Sequence, residues 1–214
     1  MISKNKLSIL LSKLEDWERP KVEQEQYSTP GNIAADVLWN AFMNKDIENK
    51  TIIDAACGPG FLGIGCLALS AKKVYFIDKS IEAINIAKKN LCFGEDKLNT
   101  KFDADFIIED IEKIKLKADV VIQNPPFGTK KRHADKVFLL KAFESAPVVY
   151  SFHKLATKKF IETIAKDNNF KITHLHRYDF PLKATQKFHE KPVKIIKVGC
   201  WRFEKVNSDA FTII

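Results

Sequence analysis

Apolar residues at 7, 10, 11, 14 and 17 recur at helical spacing, which predicts an amphipathic helix over Leu7–Trp17 that stops before Pro20. A polar linker, Lys21 to Ser28, separates it from a second helix announced by Thr29-Pro30, a cap residue followed by proline at the first helical position. Apolar positions then continue through Ile33, Ala34, Val37, Leu38, Ala41 and Phe42. From residue 51 the texture changes. Short apolar runs alternate with helical patterns, predicting strands near 51–55, 73–77, 102–108, 118–122, 147–152, 170–179 and 194–203. Helices are expected near 61–70, 80–91, 134–145 and 155–167. The alternation predicts an α/β fold with a mostly parallel sheet. The last two strands have no helix between them and should form an antiparallel terminal hairpin. Their connection, Phe180 to Pro192, is too polar to be core.

These 214 residues, 45% hydrophobic and 29% charged, have ordinary globular composition, which excludes a disordered tail or a collagen-like rod. We expect residues 1–45 to be N-terminal helices and a ligand lid packed on a core domain of 46–206, followed by a tail at 207–214. Cys57, Cys66, Cys92 and Cys200 form no Cys-x-x-Cys pair, so a zinc ribbon is excluded and reduced thiols in a cytoplasmic protein are expected. His174 and His176 alternate on one strand without a third ligand nearby, so no metal site is expected. No apolar stretch reaches the roughly 18 residues of a membrane span. With 35 Lys and Arg against 27 Asp and Glu, the net charge of +8 suits a polyanionic partner, nucleic acid foremost. The competing reading is a surface of scattered, solvated lysines.

The stretch from Thr51 to Gly63 reads as a strand, a glycine turn and a helix. Gly58-x-Gly60-x-x-Gly63, with Asp78 some twenty residues on, formally matches a dinucleotide fingerprint. Asp54 argues otherwise: a carboxylate at the strand end repels a pyrophosphate but suits the ammonium and sulfonium charges of S-adenosylmethionine. Gly58 and Gly60 would let a cofactor approach the backbone. Pro59 lacks a donor that a phosphate cradle would need. Asp78 closes an apolar strand and is placed to accept both ribose hydroxyls, or else to serve as the carboxylate at the start of the following helix; Asp110, at the next strand end, is a candidate acceptor for an adenine amino group, with Asp103, Asp105 and Glu109 as near competitors.

After Ala118–Gln123 come Asn124-Pro125-Pro126-Phe127. Two prolines fix successive φ angles near −65° and make the loop rigid. An amino group conjugated to a base or an amide is a poor nucleophile because its lone pair is delocalised. The Asn124 side-chain oxygen and the Pro125 carbonyl are two acceptors for its N–H bonds, favouring a pyramidal nitrogen. Phe127 offers a stacking face for an extruded base. Both loops should leave the carboxyl ends of the first and fourth strands, where the strand order reverses.

Glu25-Gln26-Tyr27-Ser28-Thr29-Pro30, Asn124 through Lys130, Tyr150-Ser151-Phe152-His153-Lys154 and Lys187-Phe188-His189-Glu190-Lys191 together resemble the small-subunit ribosomal RNA N6-adenosine methyltransferases of eukaryotes and archaea, over about Leu7 to Phe203. The resemblance implies a seven-stranded class I, Rossmann-like methyltransferase fold and S-adenosylmethionine as cofactor. It implies that Gln26, Tyr27 and Thr29 lid that cofactor beside Asp54, Cys57, Gly58, Gly60, Asp78, Lys79, Asp110 and Asn124. Asn124, Pro125, Pro126 and Phe127 would hold the target adenine. Where the family usually has glycine this chain has Ala56, which is tolerated if its φ is negative.

Lys130, Lys131 and Arg132 beside the acceptor loop, and Lys187, Phe188, His189 and Lys191, combine charge with a stacking ring and are expected to contact ribosomal RNA. The loop at Lys130 is expected to be mobile without RNA. The resemblance also implies a small zinc-binding activator protein. Its expected dock is the outer strand around Phe102 to Ile108, where a partner strand can be added and where Phe93, Phe102, Phe106 and Ile108 supply apolar contacts. Two alternatives stay open: N5-methylation of a glutamine in a protein, and a non-catalytic RNA-binding assembly factor.

Overall fold

The computed structural model describes residues 2–18, 20–21, 25–127, 134–182 and 194–206. Its order is α1 (Lys4–Ser12), α2 (Gly31–Met43), β1 (Thr51–Ala55), α3 (Phe61–Ala68), β2 (Lys73–Asp78), α4 (Ile81–Leu98), β3 (Ala104–Ile108), β4 (Val120–Gln123), α5 (Ala134–Ser145), β5 (Val148–Lys154), α6 (Lys158–Asp167), β6 (Phe170–Leu182) and β7 (Lys194–Lys205). The strands form one seven-stranded sheet in the order β3-β2-β1-β4-β5-β7-β6. β1 to β5 run parallel, whereas β7 is antiparallel to both β5 and β6. The seven strands and the antiparallel terminal pair are as the apolar pattern predicts. No helix of the described residues is long and apolar enough to cross a membrane.

Helices cover both faces. On one, Leu7, Leu11, Leu38, Ile64 and Phe76 join α1, α2 and α3 to the sheet; on the other, Leu139, Phe143, Ile161 and Ile164 of α5 and α6 pack on Val121, Val149, Trp201 and Phe203. The alternation along β5 divides its side chains between these cores, with Tyr150 and Phe152 in the first and Val149 in the second.

Several element ends differ from the sequence expectation, each for a local reason. α1 begins at Lys4, because the Ser3 hydroxyl accepts from the Lys6 N–H, and it ends at Ser12; Glu15 to Trp17 belong instead to a tethered segment described below. α2 begins one residue later than read: Pro30 is its N-cap, and Thr29 makes no capping bond. α4 continues to Leu98, past Gly94, and closes on Asn99 in the left-handed region. Gly94 is retained inside this helix because a Cβ there would stand 3.3 Å from Ile64 Cγ2. β6 runs on to Leu182 through Pro181, which an edge strand tolerates because its missing donor breaks no ladder.

In the turn after β1 three residues have positive φ, and the strain falls on Ala56, which alone of them carries a Cβ. Ala56 has φ +54°, Gly58 +52° and Gly60 +86°. The negative φ expected for Ala56 is therefore incorrect, and glycine at this position has a physical basis. A left-handed alanine costs roughly 1–2 kcal/mol, and glycine returns about 0.4–1 kcal/mol of that as added freedom of the unfolded chain. Ala56→Gly should accordingly raise the stability to urea unfolding by about 0.5–1 kcal/mol.

Candidate functional site

β1 and β4 lie side by side with Ala55 opposite Gln123, so the chain leaves both strands at the same point. On the β1 side, Cys57 to Gly60 form a turn closed by the Gly60 N–H to the Cys57 carbonyl at 2.9 Å. Gly60 is the N-cap of α3 and has no side chain with which to cap it. Asp54, fully buried in β1, supplies the cap from beneath: its Oδ2 accepts from the Gly63 N–H at 2.8 Å. Burial pushes the Asp54 carboxyl up to about 8, against the lowering effect of that bond. Gly63 is required by packing, since a Cβ there would fall 2.3 Å from Phe76 Cε1. The sequence expects Asp54 to meet a cofactor's charge; its hydrogen bond here is to the start of α3, and it is not among the residues of the cavity wall.

That wall encloses a cavity of about 480 Å³ in front of the turn. Asp78, at the end of β2, lines it and organises it. Oδ2 accepts from the Gly58 N–H at 3.0 Å and Oδ1 from the Ser80 N–H at 2.9 Å. Burial raises the carboxyl above its ordinary value, against the lowering effect of these backbone donors. Asp110 lines the cavity as well, with Oδ1 already accepting from the Glu112 N–H at 3.0 Å to cap a short 3-10 turn. Cys57, Gly58 and Lys79 contribute to the same wall, while Gly60 faces Ala87, Ile64 and Phe76. Burial pushes the Cys57 thiol up, so it is no nucleophile.

The segment before α2 closes the cavity. Gln26, Tyr27 and Thr29 all line it, as does Asn124 from the end of β4. Gln26 turns its Oε1 to the Lys21 N–H at 2.8 Å. Thr29 accepts from Asn124 Nδ2 at 3.0 Å, which fixes the amide, and Asn124 Oδ1 is buried with no hydrogen-bond partner among the described residues. Pro126 lines the cavity; Pro125 and Phe127 are not among its lining residues. Phe127 is buried, stacked on Tyr27 with ring centroids 5.9 Å apart and edge-on to Phe180. Lys130, Lys131, Arg132, Lys187, Phe188, His189 and Lys191 lie outside the described residues.

Two contributors escape sequence reasoning. Trp17, read as the last apolar position of a helix, lines the cavity, and its indole would lie 3.6 Å from a Cβ at Gly58. Asn90 explains how Trp17 is held. Its Oδ1 accepts from the Glu15 N–H at 2.7 Å, and its Nδ2 donates to the Glu15 carbonyl at 2.8 Å and to the Pro59 carbonyl at 2.9 Å. One buried amide thus ties the segment before the lid to the glycine turn. A polar residue on the stripe of Ala83, Ile86, Ala87 and Gly94 was the available signal. Asn90→Leu leaves three backbone groups unpaired and should weaken S-adenosylmethionine binding about 10-fold, measured by isothermal titration, while quenching by ligand of Trp17 fluorescence is lost.

Residues 31–150 match the methyltransferase small domain family. The chain is 40% identical to the uncharacterized protein MJ0284 of Methanocaldococcus jannaschii, covering 96% of each chain. It is 32% identical to the rRNA N(6)-adenosine-methyltransferase METTL5 of Danio rerio, over 92% of this chain and 96% of the relative. Among solved structures, a Pyrococcus horikoshii protein described as a candidate RNA methyltransferase superimposes with a TM-score of 0.85 at 38% identity, covering 97% of this chain and 100% of its own. With a class I sheet, a glycine turn set against an acidic strand end, and a match over more than half its length, the chain belongs to the methyltransferase small domain family.

Proposed function

We propose that this protein methylates the exocyclic N6 of an adenosine in small-subunit ribosomal RNA. S-adenosylmethionine, the cofactor, supplies a methyl group made electrophilic by its sulfonium. The observation that carries the choice of acceptor is the Asn124 amide: Nδ2 is committed to Thr29, and Oδ1 is a buried acceptor that has no donor among the described residues, at the edge of the cavity. An unsatisfied buried acceptor costs roughly 1–3 kcal/mol, which an incoming N–H removes. Oδ1 and the Pro125 carbonyl take the two hydrogens of an amino group, and the lone pair is thereby freed from conjugation. The methyl's bond to sulfur breaks as its bond to nitrogen forms, and the surplus proton, acidic only then, would pass to water, so no dedicated base is needed.

The cofactor's chemistry fits the residues in front of the turn. Asp78 would accept a ribose diol, Gly58 leaves room for backbone contact, and Asp110, on the same cavity wall, would accept from the adenine amino group. Gln26, Tyr27 and Thr29 cover this site. Tyr27 has a second role, because its ring occupies the face of Phe127 on which an extruded adenine would stack. Entry of the base therefore exchanges a Tyr27 contact for a base contact of similar kind. The basic residues Lys130, Lys131, Arg132, Lys187 and Lys191, with Phe188 and His189, would bind the surrounding RNA.

A small zinc-binding activator is assigned to the free edge of β3. β3 is the outermost strand of the sheet, Ile108 is 49% exposed, and Phe93, Phe102 and Phe106 are only partly buried. Such an edge accepts a strand from a partner and loses exposed apolar area in doing so.

Labelled S-adenosylmethionine with small-subunit ribosomal RNA, followed by nucleoside mass spectrometry, tests the acceptor: label in N6-methyladenosine is expected, and label in protein glutamine would refute it. Asn124→Ala should cut turnover by about 100-fold or more with cofactor affinity within about 3-fold. Equal loss of both would remove Asn124 from the acceptor side. Replacing Lys187 and Lys191 together by Ala should weaken RNA binding and lower the slope of log affinity against log salt by about 1–2.

A further inference from the structure

A chain of four buried polar side chains lies behind the acceptor loop and has no part in the chemistry above. Gln123, the last residue of β4, donates from Nε2 to Ser151 Oγ at 3.0 Å. Ser151 Oγ is 2.8 Å from His153 Nε2, and His153 Nδ1 is 3.2 Å from Asp135 Oδ2. Gln123, Ser151 and His153 have no exposed surface, and Asp135 is 5% exposed. Ser, His and Asp at these distances resemble the order of groups in a hydrolase triad. No substrate reaches a serine without exposed surface, so nucleophilic catalysis is ruled out by access.

One consistent assignment of hydrogens runs the length of the chain: Gln123 donates to Ser151 Oγ, the serine hydroxyl to His153 Nε2, and His153 Nδ1–H to Asp135. In it the imidazole is neutral, and burial acts in the same sense by lowering the His153 pKa. The chain ends on a carboxylate in the first turn of α5, where the helix dipole favours an anion. Opposite positions also agree: Ser151 and His153 are two apart on β5 and share a face, and Ser151 is the register partner of Gln123.

The placement along the sequence gives this chain its meaning. Gln123 immediately precedes Asn124, and Asp135 lies just inside α5, at the other end of the stretch that Asn124 opens. β5 supplies the two residues between them. We infer that Ser151, His153 and Asp135 are positioning residues which hold the two ends of the acceptor loop in register, so that Asn124 Oδ1 keeps its aim. This inference rests on Asn124 being the acceptor-side residue. It adds that the aim is set from behind by a hydrogen-bond chain linking β4, β5 and α5.

Amide hydrogen exchange on the full-length protein bound to S-adenosylmethionine tests this without any acceptor. Ser151→Ala and Asp135→Ala should speed exchange in peptides covering residues 120–127 about 10-fold, with cofactor affinity within about 3-fold of wild type. Asp135→Asn keeps an acceptor oxygen for the imidazole N–H and should restore exchange to within about 3-fold of wild type. On ribosomal RNA, the two alanine variants should lose about 10-fold or more in kcat with KM unchanged, and Asp135→Asn should recover it. Unchanged exchange in both alanine variants overturns the inference. So does a loss of cofactor affinity and melting temperature in step with exchange across the whole protein, which marks a merely structural network. Failure of Asp135→Asn to rescue also overturns it, since charge and not the chain would then matter. If wild-type protein leaves ribosomal adenosines unmodified, the proposed substrate fails, and exchange still decides the role of the chain.

Discussion

The parallel pairing of β1 with β4 is the constraint from which the site follows. Strand order runs outward from this pair in both directions, so the two connections leave to opposite faces and a crevice opens between them. The register fixes the details. Ala55 opposite Gln123 brings the glycine turn and the Asn124 loop out at one level, although they are separated by more than sixty residues in the chain. A slip by one residue would send Asp54 out of its buried position and Gln123 away from Ser151, because neighbours on a strand face opposite sides. Burial of Ile52, Ile53, Val121 and Ile122 on the two faces of the sheet opposes such a slip.

Around that crevice, buried polar side chains act chiefly on backbone groups. Asp54 caps α3, Asp78 joins two turns by their N–H groups, and Asn90 satisfies both backbone groups of Glu15 together with the Pro59 carbonyl. Each replaces a bond that regular secondary structure does not provide. Turns bent through φ +54°, +52° and +86° present unpaired donors and acceptors, and leaving these buried costs more than burying one well-bonded side chain. The glycine turn can therefore be strained and still be rigid. Rigidity is what a site requires if a methyl donor and an amino group are to meet in one line.

The order of strands and helices was legible because a parallel sheet writes itself as apolar runs between helical stripes, and the edge position of β3 followed from the hairpin at the other side. The residue types at the strand ends were legible for the same reason: Asp78 and Asn124 interrupt apolar runs where strands must stop. What failed to show was anything set by distant partners. Asp54 reads as a charge facing a ligand, and only the helix standing over it makes it a cap. Thr29 reads as a cap, and only β4 makes it the holder of Asn124. Trp17 fits the period of α1, yet the helix stops at Ser12, and Asn90 holds the backbone of Glu15 in a non-helical segment. Spacing along a chain describes faces of elements, and these roles depend on which face of which element stands opposite.

The Asn124 amide and the Phe127 ring are in different conditions before an acceptor arrives. Among the described residues Asn124 Oδ1 has no donor and, on the proposed reaction, would gain one from the entering amino group, whereas Phe127 is already covered by Tyr27. A stacked aromatic pair contributes about 0.5–1.5 kcal/mol beyond its burial, close to the roughly 1–3 kcal/mol per base of stacking that would replace it. On the proposed reaction, stacking on Phe127 would therefore change little between the free and the bound state. The hydrogen bonds to Asn124 would be new, so discrimination would fall on them: a base without an amino group at that position would displace Tyr27 and still leave Oδ1 unpaired. Selectivity of this kind comes from an acceptor left unsatisfied in the resting protein, and it is stronger the more firmly Thr29 prevents the amide from turning away.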